Sequence, residues 1–255
     1  RHMSLEASIT ALTQQAGLLM DLPQQVNATA QAQIAAIGAA YQARLETLVT
    51  SFHVDQVVGL DTNAGTVEAP LRSITKALEL TPRGGRCTVF LKTDYTISGY
   101  SLVIDGKSLV IGSGIGGKPN LYFERYVSAG GVYRGTRSFQ ISSGGHVTLQ
   151  NLTINVPLLD ANFSGQFLYN EGLFNASSDW APVAVTIALC AVVIPATPFC
   201  RLFADTAHTY DLTWYGNTLP GAITSILGQV SSAQTNTAGV AAAGLAWIRT
   251  NLANI

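Results

Sequence analysis

The 255-residue chain of 26.9 kDa is long enough for one large domain and a smaller one. Only 11% of its residues are charged, well under the roughly 25% of ordinary soluble domains, and 14 basic side chains meet 15 acidic ones, which excludes the basic footprint of a nucleic-acid binder. With 47% apolar residues it is not a disordered chain either, so its surface must be polar but mostly uncharged, a composition suited to neutral partners such as glycans.

Arg1-His2-Met3 reads as a tag remnant, and the natural chain is expected to begin upstream. From Ser4 to Thr50 the pattern is helical. Leu5, Ile9, Leu12, Ala16 and Leu19 recur at spacings of four and three, a heptad seam. Asp21 and Pro23 are expected to interrupt it, Asp21 capping a second helix with Ala30, Ile34, Ile37, Tyr41 and Leu48 along one side. So thin a stripe cannot bury itself. It needs copies of itself or the following domain, as a parallel stalk or, alternatively, a helical hairpin.

Asp61, Asn63 and Gly65 form a turn, and Ile74, Ala77 and Leu78 predict a short helix over Leu71 to Leu80, ended by Pro82-Arg83-Gly84-Gly85. A strand, a turn and a second strand follow. From Ser101 onward short β-rich runs alternate with Gly, Asn, Ser and Asp, and no helical pattern of ten or more residues separates them. Hairpin loops of the Asn-Gly or Asp-Gly kind are nearly absent, Asp105-Gly106 excepted. The runs therefore read as coils of a parallel solenoid. In Val147 to Val156, Leu149, Leu152, Ile154 and Val156 are expected to point inward, with Asn151 at a bend where side-chain amides could ladder. The apolar stretch Ala181 to Pro195 holds two prolines and reads as a buried strand pair, not a membrane span. Ile223, Ile226, Leu227 and Val230, then Val240, Leu245, Ile248 and Leu252, have helical spacing, so the end of the chain is expected to be a helical cap. The domains expected are a helical stalk at 4–50, a parallel β-helix at 51–205 and a helical tail at 206–255.

Cys87, Cys190 and Cys200 are odd in number and lack CxxC spacing, so they read as buried hydrophobes. His53, His146 and His208 are isolated, Asp61 to Gly65 lacks the later glutamate of a calcium loop, and Gly112 to Gly117 lacks the helix that a phosphate-binding loop requires. No metal and no cofactor are expected.

Asp61, Asn63, Gly65, Thr66, Pro70, Leu71, Arg72, Ser73, Ile74, Ala77, Leu78, Gly84, Gly85, Val89, Leu91 and Tyr95 carry a likeness. This stretch resembles the opening of phage tailspike and tail fibre β-helix domains, a lead-in shared with pectate-lyase-like β-helix proteins. The resemblance implies a right-handed parallel β-helix and a homotrimer. It places the protein in the virion tail and, during adsorption, at the outer face of the host. It also implies a host surface glycan as receptor, and other tail or baseplate proteins met through the N-terminal side. Nucleic acid and membrane insertion are not expected.

Many members of that family also cleave the glycan they bind. Hydrolysis uses two carboxylates about 5–9.5 Å apart. Stacked coils about 4.8 Å apart would allow Glu124 with Asp160, or Asp160 with Glu171, to serve. Sugar recognition uses aromatic platforms, for which Tyr122, Tyr126, Tyr169, Trp180, Trp214 and Tyr215 are candidates. The expected function is receptor binding by a fibre fragment. A depolymerase and a purely structural fibre segment are the alternatives.

Overall fold

The computed structural model describes residues 4–127, 133–158, 166–167, 172–176, 182–195, 201–203, 210–218 and 248–250. The chain divides into two compact units, Arg1–Thr47 and Leu48–Ile255.

The first unit is one helix, α1 (Leu5–Leu48), which runs through Pro23 without a break and has no buried residue. The helix boundary expected at Asp21 and Pro23 is therefore corrected. Proline inside a helix removes one hydrogen bond and costs about 3 kcal/mol. On a helix exposed all round, water can take the carbonyl that this leaves unpaired.

The second unit begins with β1 (Val49–Val54), then α2 (Ile74–Leu80), β2 (Arg86–Leu91), β3 (Tyr95–Ile97) and β4 (Leu102–Asp105). Next come β5 (Ser108–Ser113), β6 (Asn120–Phe123), β7 (Arg125–Val127), β8 (Tyr133–Thr136), β9 (Phe139–Ser142) and β10 (His146–Gln150). They are followed by β11 (Thr153–Asn155), β12 (Gln166–Phe167), β13 (Gly172–Ala176) and β14 (Val183–Ala188). The last are β15 (Ala191–Val193), β16 (Arg201–Phe203), β17 (Tyr210–Tyr215) and β18 (Ile248–Thr250).

Strand pairing makes one seven-stranded sheet, β1-β2-β5-β10-β14-β17-β18, and two four-stranded sheets, β15-β11-β6-β3 and β16-β13-β9-β4. Every pairing in these three sheets is parallel. A small mixed sheet, β12-β8-β7, joins an antiparallel pair to a parallel one. This corrects the expected fold class of a right-handed parallel β-helix; of the expected helical tail, residues 219–247 and 251–255 lie outside the described residues. What the described residues contain is three parallel-stranded sheets, one small mixed sheet and only two helices. Two physical reasons account for the difference. The short β-rich runs were expected to lie parallel throughout, whereas β7 and β8 pair antiparallel. Ile248, placed in a tail helix by its spacing, lies in a strand paired with β17. Short apolar runs do not separate strand from helix by periodicity alone.

The core consists of in-register rows. In the large sheet Cys87, Leu109, Val147, Val185 and Leu212 align, and so do Val89, Ile111, Leu149, Ile187 and Trp214. All are buried. An aromatic column runs through the interior. Phe139 stacks on Phe174 at 5.3 Å between ring centroids, Phe174 meets Phe203 at 5.7 Å, and Phe203 meets Tyr210 at 4.6 Å. Alternation in each strand makes this possible, since successive side chains point to opposite faces. Leu149, Leu152, Ile154 and Val156 are all buried, and Asn151 at the bend has φ 53°. The amide ladder forms elsewhere than at Asn151. Asn155 Nδ2 donates to Asn120 Oδ1 at 3.1 Å, and Asn120 Nδ2 donates to Asp94 Oδ2 at 3.0 Å.

The segment from Asp55 to Leu80 covers one end of these rows. His53 N donates to Gly65 O and Leu71 N to His53 O, so the outer edge of β1 is partly paired. Gly65 has φ 78°, a left-handed conformation that glycine adopts without strain, and Phe52 lies against it. Asp61 accepts from the backbone N–H groups of Arg72 and Ser73 and from the Ser73 hydroxyl, at 3.0, 2.9 and 2.8 Å. Ser73 in turn caps α2 by accepting from Lys76 N, while Lys107 Nζ donates to Leu78 O at the other end. Ile74, Ala77 and Leu78 face the core. Gln56 closes the neighbouring edge. Its side-chain amide donates to Thr96 O and accepts from Thr96 N, standing in for a strand beside β3.

Candidate functional site

In the crossings from the β3-containing sheet to the β4-containing sheet, the chain behaves differently from one passage to the next. The first crossing, from Ile97 to Leu102, is short. The second leaves at Phe123, makes the β7–β8 pair and returns at Phe139. The third leaves after β11 and contributes β12, which pairs with β8. Arg125 Nη1 donates to Leu158 O at 2.8 Å, so the second and third crossings are also joined by a side chain.

Glu124 closes the neck of the second crossing. Its N–H donates to Ile97 O at 2.9 Å, and its carbonyl accepts from Arg137 N at 2.8 Å and from the Thr136 hydroxyl at 3.3 Å. Its carboxylate accepts from Gly99 N at 2.8 Å and lies 3.9 Å from Arg137 Nε. The Arg137 guanidinium carbon stands 6.0 Å from the centroid of the Tyr100 ring, within range of a cation–π contact. Tyr100 is 86% exposed, and Tyr122, two residues before Glu124 on the outer side of β6, is 39% exposed. The corner therefore presents the exposed Tyr100 ring beside a guanidinium and a carboxylate, groups that can stack on the apolar face of a sugar and hydrogen-bond its hydroxyls.

The structure separates the other candidates. Tyr215 is exposed, but on β17 of the large sheet, and Trp214 beside it faces the core at 7% exposure. Tyr126 lies in β7, its backbone opposite Gly135. Asp160, Tyr169, Glu171 and Trp180 lie outside the described residues, and the Glu124 carboxylate accepts from Gly99 N and lies beside Arg137. Tyr100 and Arg137 were not singled out from the sequence. The one signal was an aromatic residue directly after the glycine of the Ser98-Gly99 turn.

On the outer face of the large sheet His146 Nε2 lies 3.1 Å from the Thr186 hydroxyl, and burial, with a smaller contribution from the Arg86 charge, holds its pKa below the ordinary value. Burial raises the thiol pKa of Cys87 and of Cys190. Neither suits a nucleophile. Among the described residues no group of three or more His, Cys, Asp or Glu gathers as a metal site, and no helix is long and apolar enough to cross a membrane.

No protein-family model matches the chain, and none of the curated proteins compared with it matches.

Proposed function

We propose that the chain is a receptor-binding segment of a phage tail fibre or tailspike, working as a homotrimer in the virion tail and docking to a polysaccharide on the bacterial surface. Its N-terminal side meets other tail or baseplate proteins. The observation that supports this reading best is the corner at Glu124. On these turns between strands Tyr100 stands exposed beside the Arg137 guanidinium, which lies 3.9 Å from the Glu124 carboxylate, and Tyr122 is exposed two residues before Glu124. Functional groups concentrate on such loops when a rigid scaffold positions them. The low charge of the chain fits a neutral glycan, and three copies would raise a weak single-site affinity by avidity.

The test is to incubate the purified chain with host capsule or lipopolysaccharide. Retention of intact polysaccharide is expected. Tyr100→Ala and Tyr122→Ala should each weaken it by roughly three- to tenfold, as removal of an aromatic stack worth about 0.5–1.5 kcal/mol requires. Absence of binding would reject the reading, and released oligosaccharides would replace binding by cleavage.

A further inference from the structure

The apolar stripe of α1 is exposed along the length of the helix. Leu5, Ile9, Leu12, Leu19, Val26, Ile34, Ile37 and Tyr41 are each between 57% and 77% exposed. Glu6, Asp21, Arg44 and Glu46 are the only charged side chains of the 44-residue helix. At 1.5 Å per residue the helix is about 66 Å long, and a stripe roughly 10 Å wide along it covers on the order of 600 Å². That is as large as the largest apolar patch on typical monomers, and it approaches the roughly 800 Å² per partner of a standard interface.

The spacing of the stripe says what covers it. From Leu5 to Ala30 the steps alternate four and three, through Ile9, Leu12, Ala16, Leu19, Pro23 and Val26. A straight helix drifts about 20° per heptad against such a seam, which a left-handed supercoil absorbs. Between Val26 and Ile37 the steps are four, four and three, an eleven-residue repeat that cancels the drift and locally unwinds the supercoil. From Ile37 the seam continues at spacings of four and three through Tyr41, the charged Arg44 and Leu48. Neighbouring helices must change winding at the same height to stay in contact. Parallel copies in register do so, with Val26 to Ile37 level in all of them. An antiparallel copy would set that segment against residues 16–27, which keep the heptad winding.

We infer that the stripe of α1 is covered by the α1 helices of other copies of this chain, parallel and in register. This rests on the reading of the protein as a multi-copy fibre segment and names the element that assembles it. The experiment is light scattering on the full chain. A mass of several chains is expected for the unaltered chain and for Ala32→Asp on the opposite side of the helix. Ile37→Asp in the seam should give a single-chain mass. Mild oxidation of Ala16→Cys should join copies through residue 16, which the unaltered chain under the same oxidant controls for. An unaltered chain that runs as a monomer, an Ile37→Asp variant that keeps the multi-chain mass, or a multi-chain Ala16→Cys variant that fails to cross-link would each overturn the inference. The cross-link stands even where Ile37→Asp misfolds. Glycan retention is read separately. A self-associating chain that binds no glycan rejects the proposed function alone, and a monomer that binds one rejects this inference alone.

Discussion

The helix and the sheets of this chain stand in opposite relations to water. Not one residue of α1 is buried, while in the large sheet whole rows such as Val89, Ile111, Leu149, Ile187 and Trp214 are buried. Both segments carry regularly spaced apolar side chains. The difference lies in where the partner comes from. A strand finds its neighbour in the next passage of the same chain, so each row completes itself. Among the described residues α1 has no second long helix to meet, and most helical stability in proteins comes from packing an apolar face. Stability of the sheets is therefore a property of one chain, whereas on the inference that copies of α1 cover one another, stability of the helix depends on concentration.

Phe174→Ala would test that contrast most severely. It removes the ring between Phe139 and Phe203 and should cost about 3–5 kcal/mol, lowering the Tm of the sheet unit by about 10 °C or more, at every protein concentration. A concentration-dependent loss would show that the sheets also lean on other copies. Next in size is Asp61→Ala. Three hydrogen-bond donors lose their acceptor, and denaturant unfolding should show a loss of about 1–3 kcal/mol with no change in mass. Gln56→Ala bares the edge of β3. A loss of about 1 kcal/mol is expected, together with faster aggregation on storage, followed by turbidity.

The smallest effects are those of pH. His146 is held below its ordinary pKa in the folded chain, so the unfolded chain takes up its proton first as pH falls. Its contribution is complete above about pH 6.5 and is lost below that value. His146→Gln should therefore flatten the fall in Tm between pH 7 and 5. Hydrogen bonds from Ser143 and Ser142, with the charges of Arg83 and Lys107 behind them, hold the Asp105 carboxyl low. The stability it contributes is present above about pH 3.9 and disappears as pH drops through the lower folded value. Thermal melts of Asp105→Asn should converge with those of the unaltered chain in acid. Parallel curves would show that Asp105 takes no part.

Much of the sheet core could be read in the sequence, because burial by alternation is local. Leu149, Leu152, Ile154 and Val156 were expected inside, and the Asp61 turn and the helix containing Ile74, Ala77 and Leu78 lie where their residues indicated. What could not be read depends on partners distant in sequence. Nothing around Pro23 says that the helix continues through it, and nothing around Ile248 says that β17 offers an open edge. The site was less legible still. Glu124 and Tyr122 were named, but the neck exists only because Ile97, Gly99 and Arg137 arrive from other passages. Gln56 acts as a strand through its side chain, which no strand pattern can reveal.

At Glu124 the two ends of an excursion meet at hydrogen-bonding distance, with Arg137 N on Glu124 O. A loop pinched shut at its base is a cassette. Its contents can be lengthened, shortened or exchanged while Phe123 and Phe139 keep their places in the interior, because doubling a loop costs only about 0.6 kcal/mol in closure entropy. A chain built this way can alter what it touches far faster than it alters what it is.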